Sequence, residues 1–258
     1  MSAPTIIVAP NGEVLAGAVA VRIARALALA PPGTTVTIAL AGGSTPRAAY
    51  ARLAHMPVDW SRVIVLFGDE RCVPPDDPAS NYHMIRETLL DHITIPDANV
   101  RRIAGELPPE RATSQAADDL RAVLGSDAFP RIDLVILGVG PDGHTASLFP
   151  GGDELSVTDQ LAVTVHRPEL PQPWRVSMSL PLLQAARQTI MVADDPAKAE
   201  VVARAIAGDP HLPASRAHAP DGTWVWMLSR PTARGVPAAQ QTLLPSGSDQ
   251  TPRPDRAH

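Results

Sequence analysis

IDLVILGVGPDGHTASLFPG, residues 132–151, decides how this chain is read. The aliphatic run over 132–137 has the length and β-branched content of a buried strand, and Gly138, Gly140 and Gly143 bend the chain as it leaves. Their spacing is G-x-G-x-x-G, so a dinucleotide-binding turn is the first reading to weigh. The context opposes it. This strand is not the first of the fold, Pro141 stiffens the loop, and Asp142 would face a pyrophosphate of its own charge sign. The next strand, 161–165, runs into His166 and Arg167 where that motif requires an acid. A second reading survives: glycines free a backbone for φ > 0, and here they shape a loop that presents Asp142 and His144. An imidazole, with an ordinary pKa of about 6.5, can take and return a proton near neutral pH.

Working outward, short apolar runs alternate with helical periodicities. Strands are expected over 5–8, 35–40, 62–67, 132–137, 161–165, 175–180, 189–193 and 223–228. Helices are expected over 13–30, 46–55, 81–91, 110–124 and 196–207. This alternation predicts an α/β domain around a mostly parallel sheet, spanning 1–235. From residue 236 the composition turns to Gln, Ser, Gly, Pro and Arg, and 236–258 is expected to be a disordered tail.

Composition narrows the function. The 258 residues are 45% hydrophobic and 19% charged, as in a globular domain. A net charge of -5 and only 3% aromatic residues argue against nucleic acid as a partner. No apolar run is long enough to span a bilayer, and the N-terminus lacks the features of a signal peptide, so a cytoplasmic protein with no membrane partner is expected. The single cysteine, Cys72, excludes an internal disulfide and is expected to be an unreactive thiol near a loop. No Cys/His cluster has metal-site spacing, so no metal is expected.

In parallel sheets ligands collect beyond the carboxyl ends of strands, and three more such loops stand out. TVTIALAGGSTPRAAY (35–50) leads from a strand through two glycines to Ser44 and Thr45, with Thr45 expected as helix N-cap and Pro46 as first helical residue. Free backbone N–H groups and two hydroxyls there suit a phosphate, although a plain capped helix reads the same stretch as well. RVIVLFGDERCVPPDDPASNYH (62–83) ends a strand with Asp69, Glu70 and Arg71; Arg71 offers several fixed donors to an oxyanion, and the Pro-rich loop 73–80 is long enough to cover a site. In MVADDPAKAEVVARAI (191–206), Asp195 reads as an N-cap and places Lys198 in a first helical turn. There a lone cation opposes the helix dipole unless an anion lies between. Lys198 is the only lysine beside 21 arginines.

AGGSTP, GDERCVP with SNYH, LGVGPDGHTASLFPG, RVSMSLPLL and the lysine of DPAKAE occur in this order and resemble the 6-phosphogluconolactonase family over about residues 6–228. GGSTP is shared with the wider superfamily that includes glucosamine-6-phosphate deaminases. The resemblance implies a single α/β domain with a modified doubly wound, Rossmann-like sheet and helices on both faces. It implies hydrolysis of 6-phosphoglucono-1,5-lactone in the oxidative pentose phosphate pathway, with no cofactor; a monomer is expected. It implies phosphate binding at Gly43, Ser44, Thr45 and Lys198, substrate contact at Arg71 and catalysis at His144; Arg175 matches a recurring arginine whose contact is left open. Asp142 either orients His144 or holds a sugar hydroxyl, and Asp69 and Glu70 carry the same ambiguity. Two alternatives stand beside it: a phosphosugar isomerase or deaminase, and a non-catalytic sugar-phosphate sensor. Against the deaminase, residues 145–149 carry no carboxylate to act beside the histidine; for lactone opening itself, the absence of a G-x-S-x-G elbow sets aside a serine nucleophile.

Overall fold

A computed structural model describes residues 3–245 except Pro32 and Ser126. In chain order its elements are β1 (Thr5–Ala9), α1 (Gly12–Ala28), β2 (Val36–Leu40), α2 (Ser44–Leu53), β3 (Val63–Phe67), β4 (Asp69–Arg71), α3 (Asn81–Thr88) and β5 (Val100–Arg101). There follow α4 (Pro109–Leu124), β6 (Leu134–Gly138), β7 (Ala162–His166), β8 (Trp174–Met178), α5 (Leu180–Gln184), β9 (Gln188–Ala193), α6 (Ala199–Ile206), α7 (Pro213–Arg216), β10 (Thr223–Ser229) and β11 (Gln241–Leu243). No helix among the described residues is long and apolar enough to cross a membrane.

Eight strands form one sheet in the order β11-β1-β10-β9-β6-β2-β3-β5, and every pairing in it is parallel. All five residues of β2 are buried, which requires cover on both faces and explains its continuous apolar run. From β2 the chain builds outward through β3 and β5; from β6 it builds the other way through β9 and β10. The two directions part between β2 and β6, and a crevice opens there at the strands' carboxyl ends.

The segments expected as strands over 161–165 and 175–180 do form strands, but outside the main sheet. They are β7 and β8 of a separate antiparallel sheet ordered β4-β8-β7. Gly68 joins the two sheets: its N–H donates to Leu40 of β2 at 2.9 Å and its carbonyl accepts from Met178 of β8 at 2.8 Å. Burial alternation does not encode which sheet a strand enters. The partner does, and here it is the three-residue β4, a stretch that the expected strands did not include.

The tail begins later than residue 236. Gln241–Leu243 pairs in parallel with β1, and the Leu244 N–H continues the ladder to Val8 at 2.8 Å. An edge strand offers a row of free backbone groups, and these can recruit a segment whose side chains carry no hydrophobic signal. The rest of the expected tail, 246–258, lies outside the described residues.

Candidate active site

The crevice between β2 and β6 holds a cavity of about 210 Å³ lined from Ala41 to Pro46, by Asp69, Arg71 and Asn81, along 138–141 and 144–146 of the loop after β6, and by Arg175, Val192 and Lys198. Four loops that follow separate strands thus converge with the small sheet at one place.

The loop after β2 supplies bare backbone. Helix α2 starts at Ser44 with Gly43 as N-cap at φ 109°, two residues before the Thr45 cap expected, and no side chain caps it. That φ is open to glycine and strained for other residues. Ser44 and Thr45 therefore occupy the first two helical positions, where N–H groups have no intrahelical acceptor, and Pro46 takes the third, where it has none to offer. Inside α2, Tyr50 is wholly buried and its hydroxyl accepts from the Ala41 N–H at 3.0 Å, anchoring the loop's root. On the other side Gly42 touches Asn81 so closely that a Cβ would fall 1.9 Å from Oδ1.

The loop after β6 is built around His144. Its Nδ1 lies 2.6 Å from Asp142 Oδ1, and its backbone N–H donates to the same oxygen at 3.1 Å. A carboxylate at that distance holds the proton on Nδ1 and leaves Nε2 as the basic nitrogen. Asp142 does not line the cavity; it orients the residue that does. Burial works to raise its carboxyl, but the hydrogen bond and charge of His144 outweigh this and hold it below the usual aspartate value. Of the fingerprint glycines, Gly143 has φ 88°, while Gly140 serves by absence of a side chain: a Cβ there would lie 2.1 Å from the imidazole. The spacing is that of a histidine seat, and the dinucleotide reading falls with it. Thr145 Oγ1 donates to Gly138 at 2.7 Å and Ser147 Oγ to Asp69 Oδ2 at 2.6 Å, which closes the loop onto β4.

Charge in the cleft is lopsided. Arg71 and Arg175 face each other across the β4–β8 ladder. Arg71 Nη1 donates to Ala79 at 2.6 Å, but its Nε is buried without a partner. Arg175 is 8% exposed; burial and then its neighbour Arg71 hold its guanidinium below the usual value, with Asp69 and Glu70 pulling the other way. Among the described residues neither arginine nor Lys198 joins an ion pair. Three cations around one cavity without counter-ions make a site for an anion.

The two acids of β4 face different surroundings. Asp69 lines the cavity, yet Oδ1 already accepts from Asn81 Nδ2 at 3.0 Å and Oδ2 from Ser147. Glu70 is turned away and accepts from the N–H groups of Arg71, Asn81 and Tyr82 and from Ser80 Oγ, all within 2.9 Å. Burial pushes the Glu70 carboxyl up and these four donors draw it back. It ties the start of α3 to β4, so the loop 73–80 does not line the cavity as a cover; it is strapped down behind Arg71. Cys72 is half-buried, and burial, aided by Glu70 and Glu110, pushes its thiol up to about 11, in keeping with an unreactive cysteine.

Gly43, Ser44, Thr45, Asp69, Arg71, His144, Arg175 and Lys198 meet here, with Asp142 one contact behind the wall and Glu70 turned away from it. Lys198 arrives on a short 3-10 turn, Pro196–Lys198, capped by Asp195, whose Oδ1 accepts from the Ala197 N–H at 2.9 Å. Asn81, Ser147 and Tyr50 were missed. Each acts through a contact with a residue distant in sequence, and nothing local marks them.

Residues 10–226 match the family model described as glucosamine-6-phosphate isomerases/6-phosphogluconolactonase. The chain is 35% identical over 217 residues to the 6-phosphogluconolactonase of Synechocystis sp., covering 82% of this chain and 88% of that one. To the human 6-phosphogluconolactonase it is 39% identical over 180 residues, 69% of this chain and 70% of that one. Its fold superposes on the solved 6-phosphogluconolactonase of Trypanosoma brucei with a TM-score of 0.82 at 30% identity, covering 91% of this chain and 99% of that one. A family-model match over residues 10–226 and a relative 35% identical over most of both chains make this chain a member of the glucosamine-6-phosphate isomerase/6-phosphogluconolactonase family.

Proposed function

We propose that this chain is a 6-phosphogluconolactonase that hydrolyses 6-phospho-D-glucono-1,5-lactone to 6-phospho-D-gluconate with His144 as general base. One observation carries the reading: a histidine oriented by a carboxylate opens onto a cavity ringed by Arg71, Arg175 and Lys198 without counter-ions. The substrate has a dianionic phosphate at one end and a carbonyl that becomes an oxyanion at the other.

Phosphate is held by the Ser44 and Thr45 N–H and hydroxyl groups, at the Gly43 turn, with Lys198 and Arg175. His144 Nε2 takes a proton from water as the water oxygen bonds to C1, and the carbonyl oxygen becomes an oxyanion facing Arg71. When the tetrahedral centre collapses, the bond from C1 to the ring oxygen breaks and the imidazolium returns its proton to that oxygen. The products are the C5 hydroxyl and an acid that ionises in solution. Asp142 stabilises the imidazolium between the two transfers, and Asp69 offers its remaining lone pairs to a sugar hydroxyl. Isomerase or deaminase chemistry would need a carboxylate acting beside the histidine, and residues 145–149 carry none. A sensor would have no use for an oriented base. In this proposal the protein acts as a monomer in the cytoplasm.

The test is hydrolysis of lactone generated freshly by glucose-6-phosphate dehydrogenase. Acceleration above the spontaneous rate is expected, and its absence from a folded protein would overturn the assignment.

A further inference from the structure

His144 sits on a glycine-bent loop and is held by a single side-chain hydrogen bond, to an Asp142 that is itself exposed. One bond at Nδ1 sets the direction of that edge of the ring and leaves the ring plane free to pivot. A general base must keep Nε2 aimed at the attacking water. Something else must fix the plane.

The Phe149 ring lies 4.5 Å from the imidazole, centroid to centroid, with 36° between the planes. Gly140 occupies the space beside the imidazole, where no larger residue fits. Phe149 is in turn fixed from behind. Its backbone N–H donates to Glu154 Oε1 at 2.9 Å, and the same oxygen accepts from Arg167 Nη2 at 2.7 Å. The Arg167 guanidinium then lies over the Phe149 ring at 4.8 Å. Glu154 is 6% exposed, and a Cβ on Gly152 would strike both members of the pair. A buried ion pair rarely adds net stability but does hold geometry, and this one clamps Phe149 at backbone and ring together.

We propose that Phe149 is a positioning residue that fixes the plane of the His144 imidazole, with the Glu154–Arg167 pair as its clamp. It touches neither phosphate nor carbonyl, and the Arg175 guanidinium reaches its ring only at 6.0 Å, so its loss acts on turnover first and on binding by a smaller factor. This rests on His144 as the base of lactone hydrolysis.

The experiment measures kcat and KM of Phe149→Leu, Phe149→Tyr and Glu154→Gln, with the proton resonances of the His144 ring read by NMR in the same samples. Phe149→Leu should lose about ten- to a hundredfold in kcat, the cost of a misaimed group, with a smaller rise in KM through Arg175, and the upfield ring-current shift of the His144 protons should disappear. Phe149→Tyr keeps the ring and should restore both. Glu154→Gln should lower kcat by a smaller factor at unchanged KM, and it decides the question if Phe149→Leu does not fold. Wild-type kcat in folded Phe149→Leu or Glu154→Gln overturns the proposal, as does an equal loss in the Leu and Tyr variants. If wild type itself does not accelerate hydrolysis, the functional reading fails, and a His144 ring without an upfield shift then separately overturns the stack.

Discussion

The two sheets of this molecule handle polarity in opposite ways. In the eight-stranded sheet the buried residues are aliphatic, aromatic or hydroxyl-bearing, and no charged side chain is buried in its strands. The three-stranded sheet buries Asp69, Glu70 and Arg175, with Arg71 half-buried beside them. A parallel sheet covered on both faces has no donors left for a charge, since its ladders use the backbone and its neighbours are apolar. The small sheet borders α3 and the loops, whose N–H and hydroxyl groups satisfy Glu70 and Asp69. One sheet supplies rigidity and the other supplies charge, and the cleft lies where they meet.

That contrast can be broken most sharply at the cleft. His144→Ala should lower kcat by about 10² to 10⁴-fold, the usual worth of a general base, while circular dichroism stays unchanged. A folded variant with wild-type turnover would remove the base assignment. Arg71→Gln should cost about 10² to 10³-fold in kcat if it stabilises the oxyanion, and a change confined to KM would assign it to binding. Lys198→Ala should raise KM by about tenfold or more, the loss of one charge-assisted hydrogen bond, with kcat nearly kept; an unchanged KM would take Lys198 away from the phosphate.

Smaller effects test the division of labour. Glu70→Gln should destabilise the fold by about 1–3 kcal/mol, because an amide cannot accept from all four donors. Urea denaturation reads that loss, and turnover per folded molecule should survive. The smallest effect is the pH dependence of Asp142. Its carboxyl is held below the usual value, so its contribution to stability is complete above the unfolded-state pKa of about 3.9. It fades as pH falls through the lower folded-state value. The difference in Tm between wild type and Asp142→Asn should therefore shrink on acidification below about pH 4. A difference that grows there would contradict the sign.

Much of this site could be read locally. Gly43, Ser44, Thr45, Asp69, Arg71, His144 and Lys198 each follow an apolar run at a turn, and carboxyl ends of parallel strands collect ligands whatever the rest of the fold. Asp142 was marked by lying two residues from His144. The cap of α2 was misplaced by two residues because Gly43 at φ 109° begins a helix that Thr45 and Pro46 would have begun equally well on propensity. Phe149 and Glu154 carried no assigned role, and Arg167 stood only where a dinucleotide motif would need an acid. Their roles come from mutual contact, and that contact is invisible in any one of them.

By itself the sequence determined the α/β class, the succession of elements, the loops that carry chemistry and the family resemblance. Periodicity, glycine and proline positions and motif order are properties of neighbouring residues. Only the tertiary structure decided that β7 and β8 leave the main sheet for β4, that residues 241–243 join it, that Glu70 is a strap where Asp69 lines a wall, and that Asp142 serves His144 from outside the cavity. Strand pairing and the satisfaction of buried charge are settled between segments far apart in the chain, where local pattern carries no record of the partner.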